Sequence, residues 1–314
     1  MNPREAYATL ADSATDLPVF MLPEYLDAVC GSREWAAAIV EKNGRVVGAL
    51  PYCLHNKWGL HYVAMPLLAR QMGPYLLPEY RSDPRREIPL LKTLIAQLPP
   101  LAAFEQDFNY AAANWLPFYW EGYRQTTRYS YEIDLRDMQA VWQNITPNYR
   151  NNKIKRAAKL VRIETPNDPA EALRLQNQSL KRLDAKEPIP EPLFRRIDQA
   201  LAGQGRRFAL IARDRDSGAA HSGVYVALDR RRAWLLMAGD HPELRSSGAG
   251  IFLIWEAIRH AQSLGATYFD FAGSMIPAVE AVRRQFGAQP RPYLRVWRDR
   301  HWLFRIRRLI YFGF

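Results

Sequence analysis

The sequence predicts an α+β fold of two consecutive domains, each with a mixed, largely antiparallel central sheet flanked by helices. Three observations point there. The chain has 314 residues, a length that suits two domains. It is 48% apolar and 12% aromatic, enough to bury sizeable cores. Its second half runs strand, hairpin, strand, glycine loop, helix, strand, helix. The first half repeats this loosely as helix, hairpin, long loop, helix, strand, with no visible identity between the halves. The first domain is placed at 1–135, the second at 136–297, and 298–314 is a basic amphipathic C-terminal segment.

The elements follow in order. LPEYLDAVCG, Leu22–Gly31, reads as a short helix closed by glycine. WAAAIVEKNGRVVGALPYCL is a hairpin around Asn43-Gly44, a pair that accepts the left-handed backbone of a tight turn. MPLLARQMGPYLLPEYRSDP, rich in proline and glycine, is a long loop. PRREIPLLKTLIAQLPP carries a helix that stops at Pro99-Pro100. LAAFEQDF and RYSYEIDL are strand-like. Asp134 is expected to cap a helix through RDMQAVWQNI, which Pro147 interrupts. NYRNNKIKRAAKL is a further helix and VRIET a short strand. Helices are expected at 169–183 and 191–202, on either side of EPIPEP. RFALIARD, AAHSGVYVAL and AWLLMAG are strands joined by turns at Asp216-Ser217-Gly218 and DRRR. TYFDFAG is a last strand before a helix at 277–285.

Between AWLLMAG and TYFDFAG lies ELRSSGAGIFLIWEAIRHAQSLG. Apolar positions 251, 254, 255, 258 and 261 make one helical stripe, and Gly265 terminates it. A helix N-terminus presents unpaired N–H groups and a partial positive charge. Arg245, Ser247, Gly248, Ala249 and Gly250 stand at that entrance. The glycines let backbone amides approach a ligand, and Arg245 adds a charge-assisted contact, so the stretch is a candidate pyrophosphate cradle. The dinucleotide fingerprint and the G-K-[ST] phosphate loop are absent.

The formal net charge of +11 favours a polyanionic partner: a nucleic acid such as tRNA, an anionic membrane face or a phosphorylated substrate. Cys30 and Cys53, the two cysteines, are read as reduced residues of a cytoplasmic protein. Six scattered histidines fit no metal motif, so no metal is expected. The N-terminus lacks the apolar core of a signal peptide, and no apolar run is long enough to span a bilayer.

Asp270 in YFDF is a candidate to accept the proton of an amine, or else a structural acid that caps the next turn. Ser274 follows it as a substrate-binding candidate. Tyr75 and Tyr149 are candidates to line an acceptor cleft between the domains. Arg150, Lys153, Lys155, Arg156, Lys159 and Arg162 form a basic run, with Lys155, Lys159 and Arg162 expected on one helical face for phosphate. His221 is read as a satisfied core histidine. The segment from Arg291 to Phe314 holds seven arginines and one acid, and Trp302, Leu303, Ile306, Leu309 and Ile310 fall on one helical stripe. That pattern suits either a helix on an anionic membrane face or one docked on its own domain.

R-x-x-G-x-G between a strand and an amphipathic helix resembles the acyl-CoA pyrophosphate motif of the GNAT acyltransferase superfamily. YFDFAGSMIPAVEAVRRQFGA resembles the C-terminal signature of the FemABX-like families, D-F-x-G before a helix ending F-K-x-x-F-G. NYRNNKIKRAAK resembles their basic segment, and ALPYCLHNKWGLHYVAMPLLARQMGPYL resembles the N-terminal half of bacterial double-GNAT proteins. The resemblance implies two GNAT-like domains, the first degenerate as a cofactor binder. It implies an N-acyltransferase acting on an amine, on a small molecule or a cell-envelope precursor. Acyl-CoA is the expected donor, and aminoacyl-tRNA the alternative used by FemABX enzymes. Many GNAT enzymes carry a tyrosine on the last helix that protonates the leaving thiolate, and FemABX proteins carry a lysine there. Here the place is taken by Arg283, which can stabilise developing negative charge but does not give up a proton. The reading of another class is a non-catalytic basic module that binds RNA or membrane.

Overall fold

A computed structural model describes residues 2–30, 35–182, 188–273 and 275–312. In chain order they form α1 (Pro3–Ser13), α2 (Pro23–Cys30), β1 (Trp35–Lys42), β2 (Arg45–Lys57), β3 (Leu60–Val63), β4 (Tyr75–Leu76), α3 (Pro84–Ala96), β5 (Ala103–Asp107), α4 (Leu116–Trp120), β6 (Arg124–Asp134) and α5 (Met138–Asn144). A π-helical turn, Asn148–Ile154, runs directly into α6 (Lys155–Leu160). Then come β7 (Val161–Glu164), α7 (Ala170–Arg182), α8 (Glu191–Ala202), β8 (Arg207–Asp214), β9 (Ala220–Leu228), β10 (Arg232–Asp240), α9 (Ala249–Ser263), β11 (Tyr268–Asp270), α10 (Pro277–Gln285), β12 (Gln289–Asp299) and α11 (Trp302–Phe312).

The chain divides into two compact units, Met1–Arg128 with Pro292–Phe314, and Tyr129–Arg291. The sequence placed the junction at 135 and set 298–314 apart. Instead, the chain's end returns to unit 1, because β12 pairs antiparallel with β5 from Arg295↔Asp107 to Asp299↔Ala103. Pro290 and Pro292 at the start of β12 hid this strand, since proline cannot donate to a ladder.

In unit 1 the strand order is β1-β2-β3-β5-β12, with β4 beside β2. Only β3 and β5 run parallel there. Asn43 and Gly44 take φ of 51° and 74°, the left-handed pair that a two-residue hairpin requires. Besides β12, the sequence reading missed α1, which carries a capping box between Asn2 and Glu5, the short strands β3 and β4, and α4. Cys30 and Cys53 are joined as a disulfide with Cα atoms 6.3 Å apart. This corrects the reading of two reduced thiols: α2 packs on the β1–β2 hairpin, a proximity that spacing along the chain does not reveal.

In unit 2 the order is β6-β11-β10-β9-β8-β7, antiparallel except for β10 with β11. Asp137, not Asp134, caps α5, accepting from Gln139 and Ala140 N–H, while Asp134 is occupied by Arg136. Arg162 falls on β7 rather than on the face of Lys155 and Lys159, because α6 ends at Leu160.

The unit 2 sheet is covered on both faces. Leu253, Ala257, Ile258 and Ala261 of α9 join Leu210, Val224, Val226, Leu235 and Phe269 in the main core. On the opposite face, Ala172 and Leu175 of α7 pack with Ile211 and Ala220. Glycine sets how close α7 lies. A Cβ at Gly239 would stand 2.4 Å from the Gln176 nitrogen, and one at Gly223 would stand 2.9 Å from the Ala172 Cα. These obstacles are helix backbone, so the helix itself would have to move. Gly239→Ala is therefore expected to destabilise the protein by about 3 kcal/mol, seen as a lower denaturant midpoint. A midpoint equal to that of the unaltered protein would contradict this packing.

Candidate active site

The glycine loop is built on three contacts. Arg245–Ser247 form a short 3-10 turn that ends at Gly248, whose φ of +80° suits glycine, and α9 starts there with no capping side chain. The first-turn amides of α9 are thus oriented for an anion. Ser247 faces inward: its Oγ lies 3.0 Å from His221 Nδ1 and accepts from Ala249 N–H at 3.2 Å. His221, buried in β9, lies 3.4 Å from Asp214 through Nε2, so it is a satisfied core histidine that also fixes the loop.

Gly248 and Gly250 are small for different reasons. A Cβ at Gly248 would sit 3.4 Å from Lys153, so the π-helical turn lies directly against the loop. A Cβ at Gly250 would collide with the Asp240 carboxylate at 2.3 Å. Asp240 ends β10, and its carboxyl is held above the usual range, chiefly by burial, against the hydroxyl of Ser222 and the charges of Arg182 and Arg245. Arg245 is exposed, and among the described residues neither it nor Lys153 pairs with a carboxylate.

The second feature is where β10 leaves β11. They pair in parallel only at Arg232↔Tyr268, Ala233↔Phe269 and Trp234↔Asp270. Past Trp234, β9 is the only strand that β10 pairs with among the described residues, with a bulge between Leu235 and Met237, while Ala238 N–H and Asp240 N–H are given to Gln176 Oε1 and Ser179 Oγ of α7 at 2.9 Å each. Such bulges re-aim a strand edge and recur beside active sites. β11 stays with β6, since Phe271 N–H donates to the Tyr131 carbonyl at 2.9 Å.

Asp270 stands at the parting and is 0% exposed. Its Oδ1 accepts from Ser130 Oγ at 2.5 Å and from Ala272 N–H at 2.8 Å, and Ser130 Oγ accepts from Gly273 N–H at 2.8 Å. Ala272 and Gly273 are both left-handed, with φ of 56° and 82°. Through Oδ1, Asp270 is thus bonded as a turn-capping acid would be.

Arg283, in the last turn of α10, places its guanidinium 5.0 Å above the Phe271 ring. Phe271 lies 5.9 Å from Phe286, which meets Tyr149 edge-on at 5.5 Å. Burial raises the Tyr149 hydroxyl above its ordinary value. The π-helical turn therefore touches both clusters, with Lys153 at the loop and Tyr149 at the aromatic stack. π-Turns recur at functional sites.

Other candidates lie elsewhere. Tyr75 belongs to unit 1, is 1% exposed, gives its hydroxyl to Asp16 at 2.7 Å and lies under Arg81. There it packs against an internal ion pair between Arg81 and Asp16. Arg150 donates to Gln143 at 2.7 Å. Ser274 lies outside the described residues. Sequence reasoning passed over Ser130, Asp240 and the pair of Tyr131 and Glu280, bonded at 3.0 Å. None stands in a local motif, since each acts through a partner distant in the chain. Among the described residues, no group of His, Cys, Asp and Glu is arranged to hold a metal, and no helix is long and apolar enough to cross a membrane.

Residues 148–299 match the family model described as the acetyltransferase (GNAT) domain. No curated protein matches the sequence. Among solved structures, FemX is 12% identical, with 93% of this chain and 95% of that one covered and a TM-score of 0.70. A tandem GNAT protein from the clavulanic acid biosynthesis pathway is 16% identical, covering 94% and 92%, at a TM-score of 0.55. L-PGS from Bacillus licheniformis is 12% identical, covering 98% and 96%, at 0.58. These likenesses span nearly the whole chain, and at such identities they speak for the fold. The chain thus has the GNAT fold, and its residues 148–299 match the acetyltransferase (GNAT) domain.

Proposed function

We propose that the chain is an N-acyltransferase that takes an acyl group from acyl-CoA and passes it to an amine. One observation carries this reading. The β11-facing edge of β10 runs from its parting at Trp234 to Asp240, which touches the glycine loop. Leu235 and Asp240 are five residue steps apart along the strand, about 17 Å at ~3.3 Å per residue. A diphosphate held at the loop and an acyl carbonyl held at the parting suit a donor with a long arm between the two, which acyl-CoA has. In an aminoacyl-tRNA the ester lies on the same nucleotide as the nearest phosphate, and that phosphate is an internucleotide phosphodiester rather than a diphosphate. The basic face of Lys153, Lys155, Arg156 and Lys159 favours the tRNA alternative, so both donors belong in the test.

Bound acyl-CoA would supply an activated thioester carbonyl. The chain's own residues do the rest. Arg245, Lys153 and the α9 amides bind the diphosphate. Backbone N–H at the bulge of β10, with Arg283, would face the oxygen on which charge develops, since Ala238 and Asp240 further along give their N–H to Gln176 and Ser179. Asp270 positions the turn that brings Arg283 over Phe271. The Tyr131 hydroxyl, raised by burial and by Glu280, stays protonated at neutral pH and is a candidate donor to the leaving group. The acceptor is proposed to be an amine on a small molecule or a cell-envelope precursor, met on the cytoplasmic side.

Three outcomes are expected. Arg245→Glu tests the ligand without the fold, whereas any side chain at Gly250 would strike Asp240 first. It should weaken CoA binding about 30-fold by calorimetry, with melting unchanged. Absence of CoA binding by the intact protein, alongside binding of aminoacyl-tRNA, would transfer the reading to the other donor. Arg283→Ala should slow thiol release from acetyl-CoA, across a panel of amines, by about a hundredfold, with CoA affinity retained and Arg283→Lys recovering part of it. Full turnover by Arg283→Ala would remove the residue from the chemistry. Asp270→Asn keeps an acceptor oxygen for Ser130 and Ala272, so it should retain most turnover, while Asp270→Ala loses both melting temperature and turnover. A stable Asp270→Asn protein without turnover would restore Asp270 as the base.

A further inference from the structure

Unit 1 contains a cavity of about 460 Å³ walled by arginines. Arg124 comes from β6, Arg298 and Arg300 from the end of β12, and Arg305 and Arg308 from α11, with Asp299 the one acid among them. Arg308 is committed, binding Asp299 and Glu105. Arg298 donates to the Glu121 carbonyl at 2.7 Å and lies 4.1 Å over the Tyr123 ring. Among the described residues no carboxylate pairs with Arg124, Arg298, Arg300 or Arg305. So many cations around one cavity repel each other unless an anion joins them.

The helix beside the cavity has a second property. α11 is docked through Phe304, which meets Tyr62 at 5.1 Å, and through Arg308. Its other face exposes Trp302 (59%), Ile306 (46%), Leu309 (59%) and Ile310 (73%), the spacing of one continuous helical stripe. Leu309 belongs both to this stripe and to the cavity wall. A phosphate site and an apolar stripe thus share an edge.

We propose that this surface docks on an anionic phospholipid bilayer, with a lipid phosphate in the arginine cavity and the α11 stripe at the boundary between headgroups and acyl chains. The chemistry selects this occupant. A soluble phosphate would leave the stripe in water. A nucleic acid would use the arginines and one tryptophan but gain nothing from Ile306, Leu309 and Ile310. A second copy, joined face to face, would press one arginine cluster toward its twin.

The test uses the full chain and vesicle cosedimentation. The protein should bind mixed phosphatidylglycerol–phosphatidylcholine vesicles, lose them at high salt, and ignore pure phosphatidylcholine. Arg124→Gln with Arg300→Gln should weaken binding about 25-fold, at roughly fivefold per neutralised arginine. Ile306→Asp with Ile310→Asp should abolish it, with melting unchanged because both positions are exposed. Truncation at 298 is unsuitable, since it removes the end of β12 and the Arg308 ion pairs. Equal binding to neutral vesicles, or variants that bind like the parent, would overturn the proposal. So would glycerol 3-phosphate binding that ignores the Ile306/Ile310 change. Concentration-dependent dimers abolished by that change, with no vesicle binding by the parent, would reassign the stripe to a second copy.

Discussion

The hydrogen bonds of Asp270 decide where β11 stops. Two successive left-handed residues, Ala272 and Gly273, follow it. For alanine this conformation costs of order 1 kcal/mol. Charge-assisted bonds from Ser130 and the Ala272 amide, each worth roughly 1.5–3 kcal/mol, more than offset it. Because the chain turns away there, β10 continues without its parallel neighbour, and past the bulge its edge meets Gln176 and Ser179 of α7 instead of a strand. The same turn leads into α10, whose last turn sets Arg283 over Phe271. A change at Ser130 would therefore act on the opening and on Arg283 together.

The glycine loop is confined from three directions. Asp240 sits under Gly250, Lys153 lies against Gly248, and the His221–Ser247 contact holds the turn between Arg245 and the helix. Asp240 is the unexpected member, since it places an acid beside an anion cradle. Burial raises its carboxyl, and Ser222, Arg182 and Arg245 act in the other direction. The cradle thus depends on balance among Asp240, Lys153 and Arg245 as well as on the dipole of α9.

Much of the fold was legible. The hairpin at Asn43-Gly44, the strands from Arg207 to Asp240 and the helix after Gly248 all carried period and punctuation that a single sequence displays. β12 was missed because its prolines mimic a loop, and α1 because its short, polar, alanine-containing run has little periodic contrast despite the Asn2–Glu5 cap. At the site, the loop residues and Arg283 were visible as motif positions. The bonding of Asp270 to Ser130, and the close approach of Gly250 to Asp240, were not, because each joins elements that only the sheet order brings together. The disulfide between Cys30 and Cys53 escaped for the same reason. Its loop of some twenty residues implies about 3 kcal/mol of stabilisation, and such bonds are rare in reducing compartments. The cysteines therefore no longer argue for a cytoplasmic location.

The excess of positive charge also takes on a different meaning once placed. Arg295 is bonded to Asp107 and Glu105, and Arg308 to Asp299 and Glu105. These two arginines hold the returning strand and the last helix to unit 1. They are interior ties, whose loss would leave buried carboxylates without partners. Arg300 and Arg305 pair with no carboxylate among the described residues, Arg305 giving only its Nε to the Asp299 carbonyl at 3.0 Å, and both stand beside the exposed stripe of α11. The tail therefore divides its arginines between holding itself to the sheet and facing outward. A count of charge along the sequence joins these two populations, whereas salt separates them: screening weakens the exposed set and leaves the buried pairs largely intact.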